Sequence, residues 1–410
     1  MTTEPTTWKP SLEELEAIWR ASADTAKRTP VFSFGVLDRR CGGKAAIKAE
    51  NLQRTGAFKI RGALAKLRSE EAQGCNGVVA ASAGNHGQGL AYAARALGMR
   101  CVVFMPLGAA VSKLDAVAAF GAEVRQVGLA VDESIDAARG LAEEEDLLFV
   151  HPFEDLTIIK GQAGVGLELM DQIDDIAQVM VPIGGGGLIC GIAAALRAAG
   201  SKARIIGIQA EACAPFAASF DAGEQRSVAS AATIADGIAV KTPGKLNLEL
   251  ASRWVDEVVA VDEDAIAEAM VLLAERGKLV VEGAGAAGVA ALLSGRAKPA
   301  SSGTTAIVLS GGNVDARVFA AVINRHQTGI GRRTRLFTRI DDRPGSLAGL
   351  LQVVADHGGN VIDLTHVRDG VSLGLGESGV ELVIESRNGR HGADVLARVR
   401  EAGYSVVQLG

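Results

Sequence analysis

The chain has 410 residues, 48% of them apolar and 22% charged, with a net charge of −6. That length predicts two or three domains, and the composition is that of a folded globular protein, which excludes disorder. The acidic balance excludes the basic footprint that nucleic acid or an anionic membrane surface requires. Two departures point to function: 50 glycines, scattered without a G-X-Y repeat, and only 4% aromatics. Scattered glycine suits tight loops and close approach of backbone to a ligand.

At the N-terminus, MTTEPTTWKP has no apolar signal core. The cysteines Cys41, Cys75, Cys101, Cys190 and Cys213 are odd in number and form no CxxC pair. Neither a disulfide framework nor a zinc site is indicated, so reduced, mostly buried thiols in a cytoplasmic protein are expected.

The first stretch that could carry chemistry is Lys48 to Ala63, where a strand ends near Lys48 and a turn at Thr55-Gly56 opens a helix. Lys59 falls in that helix's first turn, beside Phe58. An amine that is partly desolvated and close to the positive end of a helix dipole loses its proton more easily than a surface lysine. A Schiff-base lysine needs that property, whereas the other reading is a solvated lysine on a helix face.

Next come short, continuous apolar runs: Val78–Ala80, Cys101–Phe104, Leu147–Val150, Val179–Val181, Ile205–Ile208 and Ile307–Leu309. They suit strands buried on both faces, hence parallel. Between them lie amphipathic stretches of helical length, such as Gly89–Leu97, Ser112–Phe120, Val131–Glu144 and Asp264–Arg276. The alternation predicts an α/β fold with crossover helices, whose ligands sit at the carboxyl ends of the strands. Those ends read Ser82-Ala83-Gly84-Asn85-His86, Gly184-Gly185-Gly186-Gly187 and Ser310-Gly311-Gly312-Asn313.

The Ser82–His86 turn has the groups to bind an anion or hydroxyl, such as a carboxylate; the alternative is an N-cap by Ser82 or Asn85. The four glycines precede a helix starting near Leu188, and consecutive glycines let backbone N–H groups turn toward an oxyanion. A phosphate cradle is the natural use, and a sharp strand–helix turn is the alternative. The run lacks the Gly-Lys-Ser/Thr of a Walker loop and the G-x-G-x-x-G frame with its ribose-binding acid. It also interrupts the uncharged stretch Ile176–Leu196, which therefore reads as buried strand, loop and helix, with no membrane span. A Ser–His–Asp triad is unsupported, because no G-x-S-x-G elbow occurs.

A polar, glycine-containing stretch, 326–334, reads as a linker. Beyond it, residues 335–410 read as strand, helix (Leu347, Leu350, Leu351 and Val354 on one face), strand, glycine-rich loop, strand, helix and strand. That βαββαβ order predicts a ferredoxin-like module.

Taken together, Lys59 in TGAFKIRGA, SAGNHGQG from Ser82, VPIGGGGL from Val181, TIADG from Thr233, EGAGA from Glu282 and LSGGN from Leu309 resemble a family. It is that of the pyridoxal-phosphate (PLP) enzymes of the tryptophan-synthase-β fold type (fold type II), and within it the threonine ammonia-lyase (threonine dehydratase) group. The terminal module, with Asp342-Arg343-Pro344-Gly345-Ser346-Leu347 at its turn, is similar to ACT regulatory domains. The resemblance implies a PLP-dependent catalytic domain over 1–325, in two α/β subdomains, and one ACT domain over 335–410. It implies that Lys59 forms the Schiff base, Phe58 packs on the cofactor, and Asn85 bonds the pyridine 3′-oxygen. Gly184, Gly185, Gly186, Gly187 and Leu188 would hold the phosphate, and Ser310 would face the pyridine nitrogen. Ser82, Ala83, Gly84, Asn85 and His86 would grip the substrate carboxylate. Lys59 would then take the Cα proton, the β-hydroxyl would leave, and 2-oxobutanoate and ammonia would result from threonine.

Serine racemases of this fold resemble the chain less at one position: they carry a second serine where Ala83 stands. Their acidic metal pattern is also incomplete here, since Glu211 has no acidic partner before Asp221, and no metal site is expected. The alternatives are another β-hydroxyamino-acid dehydratase, a serine racemase, a non-catalytic amino-acid sensor, and, on glycine richness alone, a nicotinamide oxidoreductase. The ACT resemblance implies an amino-acid effector, isoleucine or valine for a role in isoleucine biosynthesis, and a homodimer or homotetramer.

Overall fold

A computed structural model describes residues 7–229, 232–368 and 373–409. The chain divides into two compact units, Met1–Asp315 and Ala316–Gly410. The first holds β1 (Val31–Phe32), β2 (Ala45–Ala49), β3 (Val78–Ala81), β4 (Cys101–Met105), β5 (Glu123–Gln126), β6 (Leu148–Phe149), β7 (Ile176–Pro182), β8 (Arg204–Ala210), β9 (Glu257–Val261) and β10 (Thr304–Leu309). Six of them form one sheet in the order β1-β2-β10-β7-β8-β9, parallel except for β1. The other four form a parallel sheet, β5-β4-β3-β6.

Every residue of β2, β3, β4 and β10 is buried. Helices cover both faces, as parallel pairing with crossover helices demands. A core of Val179, Val181, Ile189, Ile192, Ile205 and Val308 fills the larger sheet, and Ile60, Leu64, Val78, Leu90 and Val103 pack beside the smaller one. The uncharged stretch Ile176–Leu196 resolves into β7, the glycine loop and the helix Gly187–Ala198. Among the described residues no helix is long and apolar enough to cross a membrane. All five cysteines are free, and Cys101, Cys190 and Cys213 are buried.

The second unit opens with the helix Ala316–Gly329. Residues 326–329, read above as the start of a linker, therefore continue a helix, and the division between the units falls at Asp315/Ala316, earlier than the polar run suggests. His326 and the polar residues around it lie on an amphipathic helix, whose exposed face has the same composition as a linker. Four strands follow: β11 (Arg333–Asp341), β12 (Asn360–Val367), β13 (Glu377–Glu385) and β14 (Val407–Leu409). They form an antiparallel sheet in the order β12-β13-β11-β14, with helices Ser346–Asp356 and Gly389–Glu401 completing βαββαβ. Leu336, Leu350, Val354, Leu382 and Val395 make its core. Part of the glycine-rich loop expected before β13, residues 369–372, lies outside the described residues.

Candidate active site

Loops from the carboxyl ends of β3, β6, β7 and β10 meet in one cavity of about 850 Å³ within the first unit. All the residues singled out in the sequence line it: Phe58, Lys59, the run Ser82 to His86, the run Gly184 to Leu188, and Ser310. The size is that of a small-molecule or cofactor site.

Lys59 is the first residue of the helix Lys59–Leu67. Its Nζ donates to the Pro152 carbonyl at 2.8 Å and stands 5.2 Å from the centre of the Phe58 ring. Burial pushes the amine down to about 8, against the opposing pull of Glu282. At neutral pH roughly one molecule in ten then carries a neutral, nucleophilic amine, far more than an ordinary lysine with a pKa near 10.4. The backbone N–H of Phe58 donates to the Ser310 carbonyl at 3.1 Å, so strand β10's loop fixes the lysine's entry into its helix.

Opposite the lysine, the four glycines end β7 and begin the helix Gly187–Ala198. Gly186 has φ +99°, a left-handed conformation that only glycine adopts without strain. A Cβ on Gly185 would run into the Phe153 ring. Asn247 Nδ2 donates to the Gly185 carbonyl at 2.6 Å and to that of Phe153 at 3.1 Å, tying the loop down from outside. The loop thus presents backbone at the positive end of a helix dipole, the arrangement that receives a phosphate.

The third wall is Ser82–His86, which leads into the helix Asn85–Ala96. Ser82 Oγ accepts from the Gly84 N–H at 3.2 Å. His86 is held in its neutral form. Its Nε2 lies 3.0 Å from the Val150 carbonyl, which can only accept, so this nitrogen carries the proton. Burial, with Lys59 nearby, pushes the imidazole down to about 3 and keeps it neutral. His86 therefore brings no positive charge to a carboxylate, and the helix's first-turn amides are what the loop can offer.

Among the lining residues not marked as site residues by the sequence are His151, Glu282, Asn313 and Asp236. His151 follows β6 at the same sheet edge, and its Nδ1 accepts from the Glu154 N–H at 2.7 Å. Since Leu147–Val150 read as a strand, the rule that flagged the other loops applies equally to its end. Asn313 closes the strand-end loop Ser310–Asn313 noted above, while Glu282 and Asp236 sit inside EGAGA and TIADG, motifs noted only as a resemblance. Asn85 Nδ2 donates to Glu282 Oε1 at 2.8 Å, and Asn85 Oδ1 accepts from Asn313 Nδ2 at 2.7 Å. Asp236 pairs with Lys113 at 2.6 Å beside the cavity.

Two features test whether a phosphorylated aldehyde cofactor fits. The glycine cradle is a place where side chains cannot go, and the lysine is an amine depressed toward neutrality. In addition, the Oε1 of Gln162, a residue of the cavity wall, is buried without a hydrogen-bond partner. A cradle, an amine and an unsatisfied polar wall group all fit such a group. Glu211, considered above for a metal, faces Arg296 at 3.8 Å instead.

The model of a family described as pyridoxal-phosphate dependent enzyme matches residues 23–311. An L-threonine ammonia-lyase from Thermotoga maritima is 40% identical over 403 residues, 98% of this chain and all of that protein. A threonine deaminase structure, its source abbreviated T.th., superposes with a TM-score of 0.70 at 39% identity, covering 75% of this chain and 99% of its own. A maize serine racemase structure gives a TM-score of 0.73 at 33% identity, covering 78% of this chain and 99% of its own.

Proposed function

The chain belongs to the pyridoxal-phosphate-dependent enzyme family, and on that premise we propose that it deaminates L-threonine, and L-serine, by β-elimination of the hydroxyl as water followed by a hydrolysis that takes up one water and releases ammonia, to give 2-oxobutanoate or pyruvate. The observation that carries the reading is Lys59, a depressed amine opening onto a glycine cradle, in a chain matched over 98% of its length by an L-threonine ammonia-lyase. When bound, the cofactor supplies an electron sink for negative charge developing at the substrate Cα.

The residues divide the work. Lys59 is proposed to hold the cofactor covalently, Phe58 to pack on it, Asn85 to donate to its 3′-oxygen, and Ser310 to face its pyridine nitrogen. Gly184, Gly185, Gly186, Gly187 and Leu188 hold the phosphate. A neutral hydroxyl at Ser310 does not force a proton onto that nitrogen as a carboxylate would, which weakens the sink and favours prompt departure of a β-substituent. The Ser82–His86 loop holds the substrate carboxylate and so aims the Cα proton. Lys59 Nζ, once free, takes that proton as general base.

The racemase reading draws on the maize neighbour, but racemisation requires a second acid–base group on the other face of Cα. Ala83 has no proton to give or take there. The deciding experiment is the visible spectrum of the purified protein before and after L-threonine, with 2-oxobutanoate assayed in the same tube. A band that shifts while oxo-acid accumulates supports elimination. A band that shifts with L-serine while D-serine accumulates and no oxo-acid forms would move the assignment to a racemase.

The cradle gives a second expectation. Gly185→Ala forces Phe153 or the loop aside, and PLP affinity should fall by about tenfold or more, as one or two phosphate hydrogen bonds are lost. Equilibrium dialysis of the variant checks it.

For the second unit we propose an ACT-type regulatory role, supported by its βαββαβ topology and the order β12-β13-β11-β14. A homo-oligomer joined through such modules goes with it. A chain ending at Asp315 is expected to keep PLP binding and lose any response to isoleucine or valine. An unchanged dose–response curve in the shortened protein would count against the proposal.

A further inference from the structure

TIADG, EGAGA and LSGGN share no obvious chemistry in the sequence, yet all three converge on one carboxyl group. Glu282 is 4% exposed. A Cβ on Gly311 would collide with its Oε1, and a Cβ on Gly237 would lie 3.2 Å from the same atom. The glycines of two motifs thus make room for the acid of the third. The ordinary role for a residue at this position is to cap the helix Gly283–Leu293, which it precedes. Its side chain makes no capping hydrogen bond. It turns into the cavity wall and accepts from Asn85 Nδ2 at 2.8 Å.

The other end of that contact is fixed independently. Asn313 Nδ2 donates to the Thr55 backbone carbonyl at 2.7 Å and to Asn85 Oδ1 at 2.7 Å. A backbone carbonyl only accepts, so the direction of the chain from Thr55 through Asn313 and Asn85 to Glu282 is set. One N–H of Asn85 is spent on Glu282 and a second remains.

We propose that Glu282 is a positioning residue of the cofactor site, holding the Asn85 carboxamide so that its remaining N–H faces the cavity. This rests on the reading above in which Asn85 donates to the cofactor. Without Glu282, Asn85 keeps only its bond from Asn313, and the donor swings away from the ring.

The charged groups facing Glu282 are Asp236 from the turn at 236–238, Lys113 from the helix Val111–Ala119, and Lys59. Burial first, then Asp236, pushes its carboxyl up to about 7, against Asn85, Lys113 and Lys59. At pH 6 the group is therefore mostly neutral, and glutamine, which keeps the accepting oxygen, is a fair replacement.

The test is the PLP dissociation constant of the full chain at pH 6, by equilibrium dialysis, with far-UV circular dichroism to confirm folding. Glu282→Leu removes the acceptor. Glu282→Asp keeps the acid but falls short of Asn85 by one methylene, and serves if the leucine variant fails to fold. Each should weaken PLP binding about tenfold, the worth of one buried hydrogen bond, while Glu282→Gln stays within about threefold of wild type. In an Asn85→Ala background neither the leucine nor the aspartate should add a further loss. Equal losses in both backgrounds, or an aspartate variant that binds like wild type, would overturn the proposal. Should Asn85→Ala bind PLP normally, the Asn85 role falls and takes this one with it. Should Asn85→Ala weaken binding while the Glu282 variants do not, only the Glu282 assignment falls.

Discussion

Lys59→Ala is expected to lower turnover with L-threonine by at least about 10³-fold, because one side chain is assigned both the covalent bond to the cofactor and the proton transfer at Cα. The protein should still fold, since Lys59 contributes one bond to the Pro152 carbonyl and little to the core. The purified variant should lack the visible band of the lysine-bound cofactor. A variant that kept wild-type turnover would remove Lys59 from the mechanism altogether. The same residue gives a pH signature in the cofactor-free enzyme. Capture of PLP needs the neutral amine, and with the amine pushed down to about 8 the capture rate should rise tenfold per pH unit below that value and level off above it. A lysine at its ordinary pKa would still be climbing at pH 9. Stopped-flow absorbance between pH 6 and 10 separates the two.

What the sequence disclosed follows from how local each signal is. The central strands were legible because burial on both faces leaves an unbroken apolar run, as in Cys101–Phe104 or Ile205–Ile208. The edge strand β5, EVRQ, carries charge and is half open, so no such run marks it, whereas β9, EVVAV, does hold a short apolar run, Val258–Val261, that went unmarked. The glycine cradle and the Ser82 loop announced themselves because the chain turns sharply there. The lysine also has a local sign, an aromatic neighbour and a helix start, although it is burial that depresses the amine. Glu282 carries no such sign. An acid before a helix reads as a cap, and its burial is created by Gly237, Asn85 and Gly311, which lie up to about 200 residues away. The polar stretch near His326 misled for the opposite reason: the exposed face of a helix and a linker have the same composition.

The largest effect on stability is expected away from the cavity, behind the helix that begins with Lys59. Arg61, two residues on, is buried with Glu50, Glu168 and Lys48, and these four are at most 3% exposed. Two acids face two bases, so the cluster is neutral as a whole. Glu168 is its hub. It accepts from Arg61 Nη1 at 2.7 Å and Nη2 at 2.9 Å, from Lys48 Nζ at 2.6 Å, from Trp19 Nε1 at 3.1 Å and from the Thr29 N–H at 3.2 Å. Glu168→Gln keeps the shape but removes the charge, and it turns an N–H₂ toward donors. Lys48 and Arg61 would then share Glu50 alone, leaving one positive charge uncompensated in the core. Breaking a buried pair in this way costs about 3–5 kcal/mol.

The wild-type cluster also predicts the acid limb of stability. Burial raises the Glu168 carboxyl, but Arg61 and Lys48 outweigh it and hold the group below the usual carboxylate value. A group whose pKa is depressed on folding stabilises the protein above its unfolded pKa, about 4.3, and loses that contribution as pH falls through the folded value. Urea midpoints should therefore fall below about pH 4 in wild type, and the Glu168→Gln midpoint should already be low at pH 7 and change less over the same range. A glutamine variant as stable as wild type at pH 7 would mean that the remaining three groups rearrange around the lost charge.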